Sequence, residues 1–96
     1  MKIARVIGST ISTIKSPRVK NTKLLLCQET DHYGDQELGT PYAAIDLVEA
    51  GEGDLVLTCH GSAARQTQLT KETPTDSVII GVLDHLEVDG EITFRK

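Results

Sequence analysis

Ninety-six residues carry ten Lys and Arg against fourteen Asp and Glu, a formal net charge of −4 with histidines neutral. That length suits one domain over residues 1–96, which buries only roughly 64% of its extended surface, so a monomer is marginal and an oligomer would relieve it. Ordinary hydrophobic (39%) and charged (25%) fractions exclude intrinsic disorder, and mild acidity with three aromatics, Tyr33, Tyr42 and Phe94, argues against a nucleic-acid binder, which needs surplus cations and stacking faces.

The amino terminus, MKIARVIGSTISTIK, has neither a long apolar region nor a small-residue cleavage site, so it does not read as a signal peptide. No stretch reaches the eighteen or so apolar residues of a membrane-spanning helix. Two cysteines, Cys27 and Cys59, are too few for a disulfide framework and read as buried, reduced thiols of a cytoplasmic protein.

From Lys2 to Ile14 β-branched residues dominate, which predicts a strand, and Gly8 within it predicts a bulge or sharp bend. Ile3, Ile7 and Ile11 share one parity with the polar Arg5 and Ser9, so alternation is imperfect. Pro17 punctuates a basic loop from Lys15 to Lys23. Residues 23–29, KLLLCQE, read as a short, mostly buried strand, and residues 30–40 as a polar surface loop. Residues 41–48 and 55–59 read as two further strands. The glycine-containing turn 49–54, with Gly51 and Gly53 available for positive φ, joins them as a hairpin over 41–59. Gly61 to Thr67 carries the one helix signal, with Ser62 as N-cap ahead of Ala63, Ala64 and Arg65. Residues 77–84, SVIIGVLD, form the strongest strand pattern. The last two short strands flank Asp89-Gly90, a pair that favours a type I′ hairpin turn. About five or six strands with one short helix predict a mainly β chain: a small closed barrel plus a C-terminal hairpin.

The catalytic inventory is thin. Cys59 and His60 are adjacent, but neighbours on a strand point to opposite faces. No C-x₂₋₄-C spacing marks a structural zinc site, and nothing identifies the orienting group or oxyanion hole that a Cys-His nucleophile needs. The glycine pattern at 51–54 lacks the following Lys of a phosphate loop. No catalytic, metal or cofactor residue is therefore assigned, and cofactors are expected to be none. Most acidic residues read as solvated loop charges. Asp46 and Asp84, which interrupt or close apolar strands, are expected to pin loops by accepting backbone N–H bonds.

Several blocks, in order, resemble the vertex proteins of bacterial microcompartment shells, the family of the ethanolamine-utilisation and carboxysome pentamers. Val6-Ile7-Gly8-Ser9 with Thr13-Ile14-Lys15 resembles the family's V-I-G-T and T-x-K. Lys23-Leu24-Leu25-Leu26 matches K-L-L-L. Ala44-Ile45-Asp46 with Ala50-Gly51-Glu52-Gly53-Asp54-Leu55-Val56-Leu57 resembles D-x-V-G-A-G-x-G-D-x-V-L. Gly61-Ser62-Ala63-Ala64-Arg65 matches G-S-x-A-R, and Asp76 with Ile79 to Asp84 resembles D-x-x-I-V-G-I-V-D. Glu49 replaces the first glycine of V-G-A-G, so that turn is expected to take a non-glycine conformation. Asn21 stands where a glycine is usual, and the tail after Asp84 is variable in the family.

The resemblance implies a barrel similar to the oligonucleotide/oligosaccharide-binding (OB) fold. It also implies a homo-pentamer in the cytoplasm that fills shell vertices beside hexameric and trimeric shell proteins, with no membrane and no nucleic acid. The small residues Gly61, Ser62, Ala63 and Ala64, with Arg65, are expected at the subunit interface near the five-fold axis. Gly8, Asp46, Gly51, Gly53, Asp54 and Asp84 are expected to serve turns and structure. Two rivals are an OB-like binder of nucleic acid or a small ligand, which a basic, aromatic face would support, and a small enzyme with an interfacial site.

Overall fold

The computed structural model describes residues 1–10, 23–61 and 77–96. Among these residues seven strands follow in chain order: β1 (Lys2–Ser9), β2 (Lys23–Glu29), β3 (Tyr42–Asp46), β4 (Leu55–His60), β5 (Ser77–Val82), β6 (His85–Val88) and β7 (Glu91–Arg95). The first five close into a barrel in the order β1-β2-β3-β5-β4, and β6 and β7 form a separate two-stranded sheet. The barrel is the OB-like fold expected from the sequence. Among the described residues no helix is long and apolar enough to cross a membrane.

Residues 41–59 are not a hairpin. β3 pairs with β2 on one side and, in parallel, with β5 on the other, while β4 pairs with β1 and β5. The turn between β3 and β4 therefore carries the chain across the barrel end instead of folding it back on itself. Its docking site is β1: Val6 N–H donates to Asp54 O at 2.9 Å, and Gly53 N–H donates to Val6 O at 2.8 Å. Two strands adjacent in sequence are separated by a third because the turn's own polar groups bind elsewhere.

Pairing partners sort the side chains into two faces. Ala4, Val6, Leu25, Cys27, Ala44, Val56 and Ile79 cluster in the barrel interior, with Ala50 from the turn. Ile45 and Val78, cross-strand partners on β3 and β5, form a second buried cluster with Leu24, Leu47 and Ile80 on the outside of the same wall. Hydrophobic residues on both faces explain why these strands read as continuous apolar runs instead of alternating. Each fully buried Ile, Leu or Val contributes about 1.5–3 kcal/mol of transfer free energy. On β1 the interior takes the small Ala4 and Val6, and the larger Ile7 lies exposed on the other face. Parity with Ile3 and Ile7 alone would have selected the outer face.

Two irregularities set the curvature. The β1–β2 register slips between Val6 and Gly8, where the sequence predicts a bulge, and the β4–β5 register slips between Leu57 and Thr58. Bulges increase local twist and bend a strand, as a five-stranded barrel requires. The C-terminal hairpin has the expected turn: Asp89 and Gly90 both adopt positive φ, 53° and 81°, the type I′ pattern. The helix expected from Ser62 onwards, the strand residues Ile11 to Ile14 and the basic loop before Lys23 lie outside the described residues.

The β3–β4 turn departs from expectation in its conformation. Gly53 is left-handed with φ 92°, but Gly51 is not; the second left-handed residue is Glu49, φ 56°. The non-glycine residue thus adopts the glycine-type conformation, held by hydrogen bonds on either side of it. That conformation disfavours an L side chain by roughly 1–2 kcal/mol. Glu49→Gly should therefore stabilise the protein by about 0.5–1 kcal/mol, the relief being partly offset by the greater entropy of the unfolded chain. Urea denaturation measures it, and a loss of comparable size would show that the Glu49 side chain carries a contact of its own.

Candidate functional site

One end of the barrel interior is polar. Thr58 and His60 are two apart on β4 and share a face. Facing them are Tyr42 at the start of β3 and Ser77 at the start of β5. Tyr42 Oη and Thr58 Oγ1 lie 2.9 Å apart, Thr58 Oγ1 and His60 Nε2 2.8 Å, and His60 Nδ1 and Ser77 Oγ 3.0 Å. The Tyr42 and His60 rings meet edge to face, with centroids 4.9 Å apart and planes at 68°. Lys2 covers the mouth: its Nζ is 5.8 Å from the Tyr42 ring centroid and 3.4 Å from Glu29 Oε1. Five side chains from all of β1 to β5 save β2, joined by Glu29 of β2, thus converge on one barrel end, where small barrels hold ligands or polar plugs.

Ser77 beside an imidazole is the arrangement a nucleophile and base would need, and sequence reading did not bring the two together. Its surroundings favour structure over chemistry. Ser77 is buried, 5% exposed, and Thr58 is fully buried. The other imidazole nitrogen meets the Thr58 hydroxyl, so the ring is held between two hydroxyls. A chain of hydroxyls around the imidazole satisfies buried polar atoms, which would otherwise cost stability. Burial pushes the Tyr42 phenol above its ordinary pKa, with the Thr58 hydrogen bond opposing. The signal available in sequence was Thr58 and His60, polar residues of equal parity inside the run LVLTCH.

The residues singled out from sequence are spread over the barrel. Asp46 ends β3, and its Oδ1 accepts N–H from Val48 at 3.0 Å and Ala50 at 3.2 Å. Asp54 Oδ2 accepts Gly51 N–H at 2.9 Å across the turn. Asp84 offers its backbone carbonyl to Lys96 N–H at 2.8 Å. Gly8 borders a cleft of about 170 Å³ with Ser9, Lys23, Leu25, Gly51 and Glu52. Gly61 is exposed and left-handed, φ 63°, with open space where a Cβ would stand. Ser62, Ala63, Ala64 and Arg65 lie outside the described residues.

Cys59 and His60 do fall on opposite faces: Cys59 pairs with Val78 of the outer cluster, whereas His60 joins the interior polar chain. Both cysteines are free. Burial, reinforced by the Asp46 charge, pushes the Cys27 thiol up to about 11, so it is neither a thiolate nor a nucleophile at neutral pH. Among the described residues no group of three or more His, Cys, Asp and Glu side chains is placed to hold a metal ion.

Comparison with known proteins gives one consistent set of relatives. A family described as ethanolamine utilisation protein EutN/carboxysome matches residues 1–84. The microcompartment shell vertex protein EutN of Salmonella typhimurium is 34% identical over 96 residues, all of this chain and 96% of that protein. The carboxysome shell vertex protein CcmL of Gloeobacter violaceus is 40% identical over 96 residues, 95% of its length. Its structure superposes with a TM-score of 0.91, covering 100% of this chain and 98% of that one. GrpN, a pentameric microcompartment shell protein from Rhodospirillum rubrum, superposes with a TM-score of 0.79 at 31% identity, covering 92% and 99%.

Thr58 serves both Tyr42 and His60, so Thr58→Val should cost about 1–3 kcal/mol and more than Tyr42→Phe, which removes one link. Equal effects in denaturant titrations would mean that the chain is not connected through Thr58. The Cys27 thiol makes a separate prediction. Unfolded, it titrates near 9.0, and folded, near 11. Above pH 9 the unfolded chain sheds a proton that the folded chain keeps. Stability present below pH 9 is therefore lost between pH 9 and 11, by roughly 2 kcal/mol. Cys27→Ala should lower stability at pH 7 but flatten that alkaline limb; an equally steep limb in both proteins contradicts the assignment.

Proposed function

The chain belongs to the ethanolamine utilisation protein EutN/carboxysome family, and from that membership we propose that it is a structural shell protein whose pentamers close and seal the vertices of a bacterial microcompartment. The observation that carries this reading is the full-length match to shell vertex proteins, with a pentameric shell protein among the superposing structures. The work is geometric. Hexagonal tiles alone make a flat sheet, and five-fold units supply the closure. A ring forms when one heterologous contact repeats until its rotation closes.

The chain's neighbours in the assembly are hexameric and trimeric shell proteins, and it catalyses no reaction itself. Supporting this, the relatives are named for their place in a shell, and the polar barrel end binds its own hydroxyls around His60. The net charge of −4 disfavours the rival OB-like nucleic-acid binder. We place the Gly61–Arg65 block at the subunit contact, where small residues let backbones approach and an Arg can reach a carbonyl or carboxylate across the interface.

Deleting the gene from a host with no second vertex protein tests the function. The encapsulated enzymes should stay active in lysate while the shells become elongated or unsealed, and normal sealed polyhedra would contradict the proposal. Ala63→Trp tests the contact: it should block assembly while preserving the barrel's circular dichroism, and an unchanged oligomer would move the interface elsewhere.

A further inference from the structure

Arg5 lies on the outer side of β1, opposite to the interior Ala4 and Val6. Its guanidinium touches three elements that are far apart in sequence. One terminal nitrogen donates to Gly53 O of the β3–β4 turn at 2.7 Å. The other donates to Gly34 O of the β2–β3 loop at 2.8 Å. The same group lies 5.9 Å from the ring centroid of Phe94 on β7, within cation–π range. Gly34 is shaped for the contact: it is buried and left-handed, φ 74°, and a Cβ there would come within 2.9 Å of the Arg5 nitrogen.

Among the described residues, the hairpin that Phe94 belongs to shares no ladder with the barrel. A two-stranded hairpin is marginal on its own in water, so contacts with the body of the protein must hold it. β7 carries one extra residue in its pairing with β6: Leu86 faces Phe94, but Glu87 faces Ile92. Such a bulge re-aims side chains, and here both successive residues reach the body of the protein. Thr93 Oγ1 donates to His32 O of the β2–β3 loop, and Phe94 meets Arg5. Further ties among the described residues are at the chain end, where Lys96 Nζ stands 3.8 Å from Asp54 Oδ1, and at the root, where Leu83 N–H donates to Leu55 O at 2.8 Å. The family match stops at residue 84, one residue before β6 begins.

We propose that Arg5 is a positioning residue that fixes the C-terminal hairpin against the barrel, by locking the loop and turn beneath the hairpin and seating Phe94 on the same cation. Without it the hairpin is a separately opening unit on an intact barrel. The role needs arginine: two carbonyls in different directions and an aromatic ring are met by one planar fork with five donors, and an ammonium reaches only part of that set. This goes beyond the vertex reading and stands whether or not the ring does.

Amide hydrogen exchange on the full chain tests it, with the wild type, Arg5→Met, Arg5→Lys and Thr93→Val compared at matched oligomeric state. In Arg5→Met the ladder amides of β6 and β7 should exchange about tenfold faster or more, while those of β1 to β5 change by less than about threefold. Arg5→Lys should fall between. Thr93→Val should accelerate the hairpin alone. Unchanged hairpin exchange in Arg5→Met overturns the proposal, and so does equal acceleration of barrel and hairpin, which would make Arg5 a general stability residue. Should Arg5→Met fail to fold, Arg5→Lys decides: hairpin-selective acceleration supports the role, and its absence overturns it.

Discussion

Closure of the barrel is the constraint from which the other features follow. Four antiparallel pairings join the strands in the order β3-β2-β1-β4-β5, and that sheet closes only where β3 meets β5, in a short parallel contact: Ile45 with Val78 and Asp46 with Ile79. It exists because β5 slips between two strands that are neighbours in sequence. Asp46 makes room for it, gathering the amides of Val48 and Ala50 and turning the chain away from β2 and β3. Glu49 accepts a left-handed backbone in the same turn. Gly53 and Asp54 then anchor on Val6, and β4 emerges beside β1. A closed ladder leaves the barrel without the free edges that make open sheets aggregate.

The small interior follows from closure. Ala4 and Ala44 line it beside Val6, Val56 and Ile79, side chains modest enough for a narrow barrel. Apolar residues left over on β2, β3 and β5 build the outer cluster around Ile45 and Val78. At one end, where the strands begin or finish, hydroxyls and an imidazole replace hydrocarbon, and each buried side-chain polar atom among the described residues finds a partner. The barrel thus resembles a closed plug more than an open receptacle, which suits a protein whose task is to fill a corner.

Much of this was legible in the sequence, because the signals were local. Apolar runs marked five of the strands, Asp89-Gly90 marked the hairpin turn, and Gly8 marked the bulge in β1. What escaped was the partner of each strand. Tight spacing between residues 41–48 and 55–59 suggests a hairpin, and only the long-range bonds from Val6 to Gly53 and Asp54 show why none forms. The polar barrel end escaped for the same reason. Tyr42, Thr58, His60 and Ser77 sit on three strands, and nothing local connects them. Glu49 misled differently, since a missing glycine suggested a different backbone, whereas the turn's hydrogen bonds impose the original one on a residue that tolerates it poorly.

Family membership points to one physical task, the repetition of a single chain around a five-fold axis. A 10.4 kDa chain with a small core gains from burying further surface against copies of itself. Native mass spectrometry of the purified protein tests this most directly. The account predicts one dominant species of five times the mass of the single chain at micromolar concentration. A monomer alone under the same conditions would contradict it.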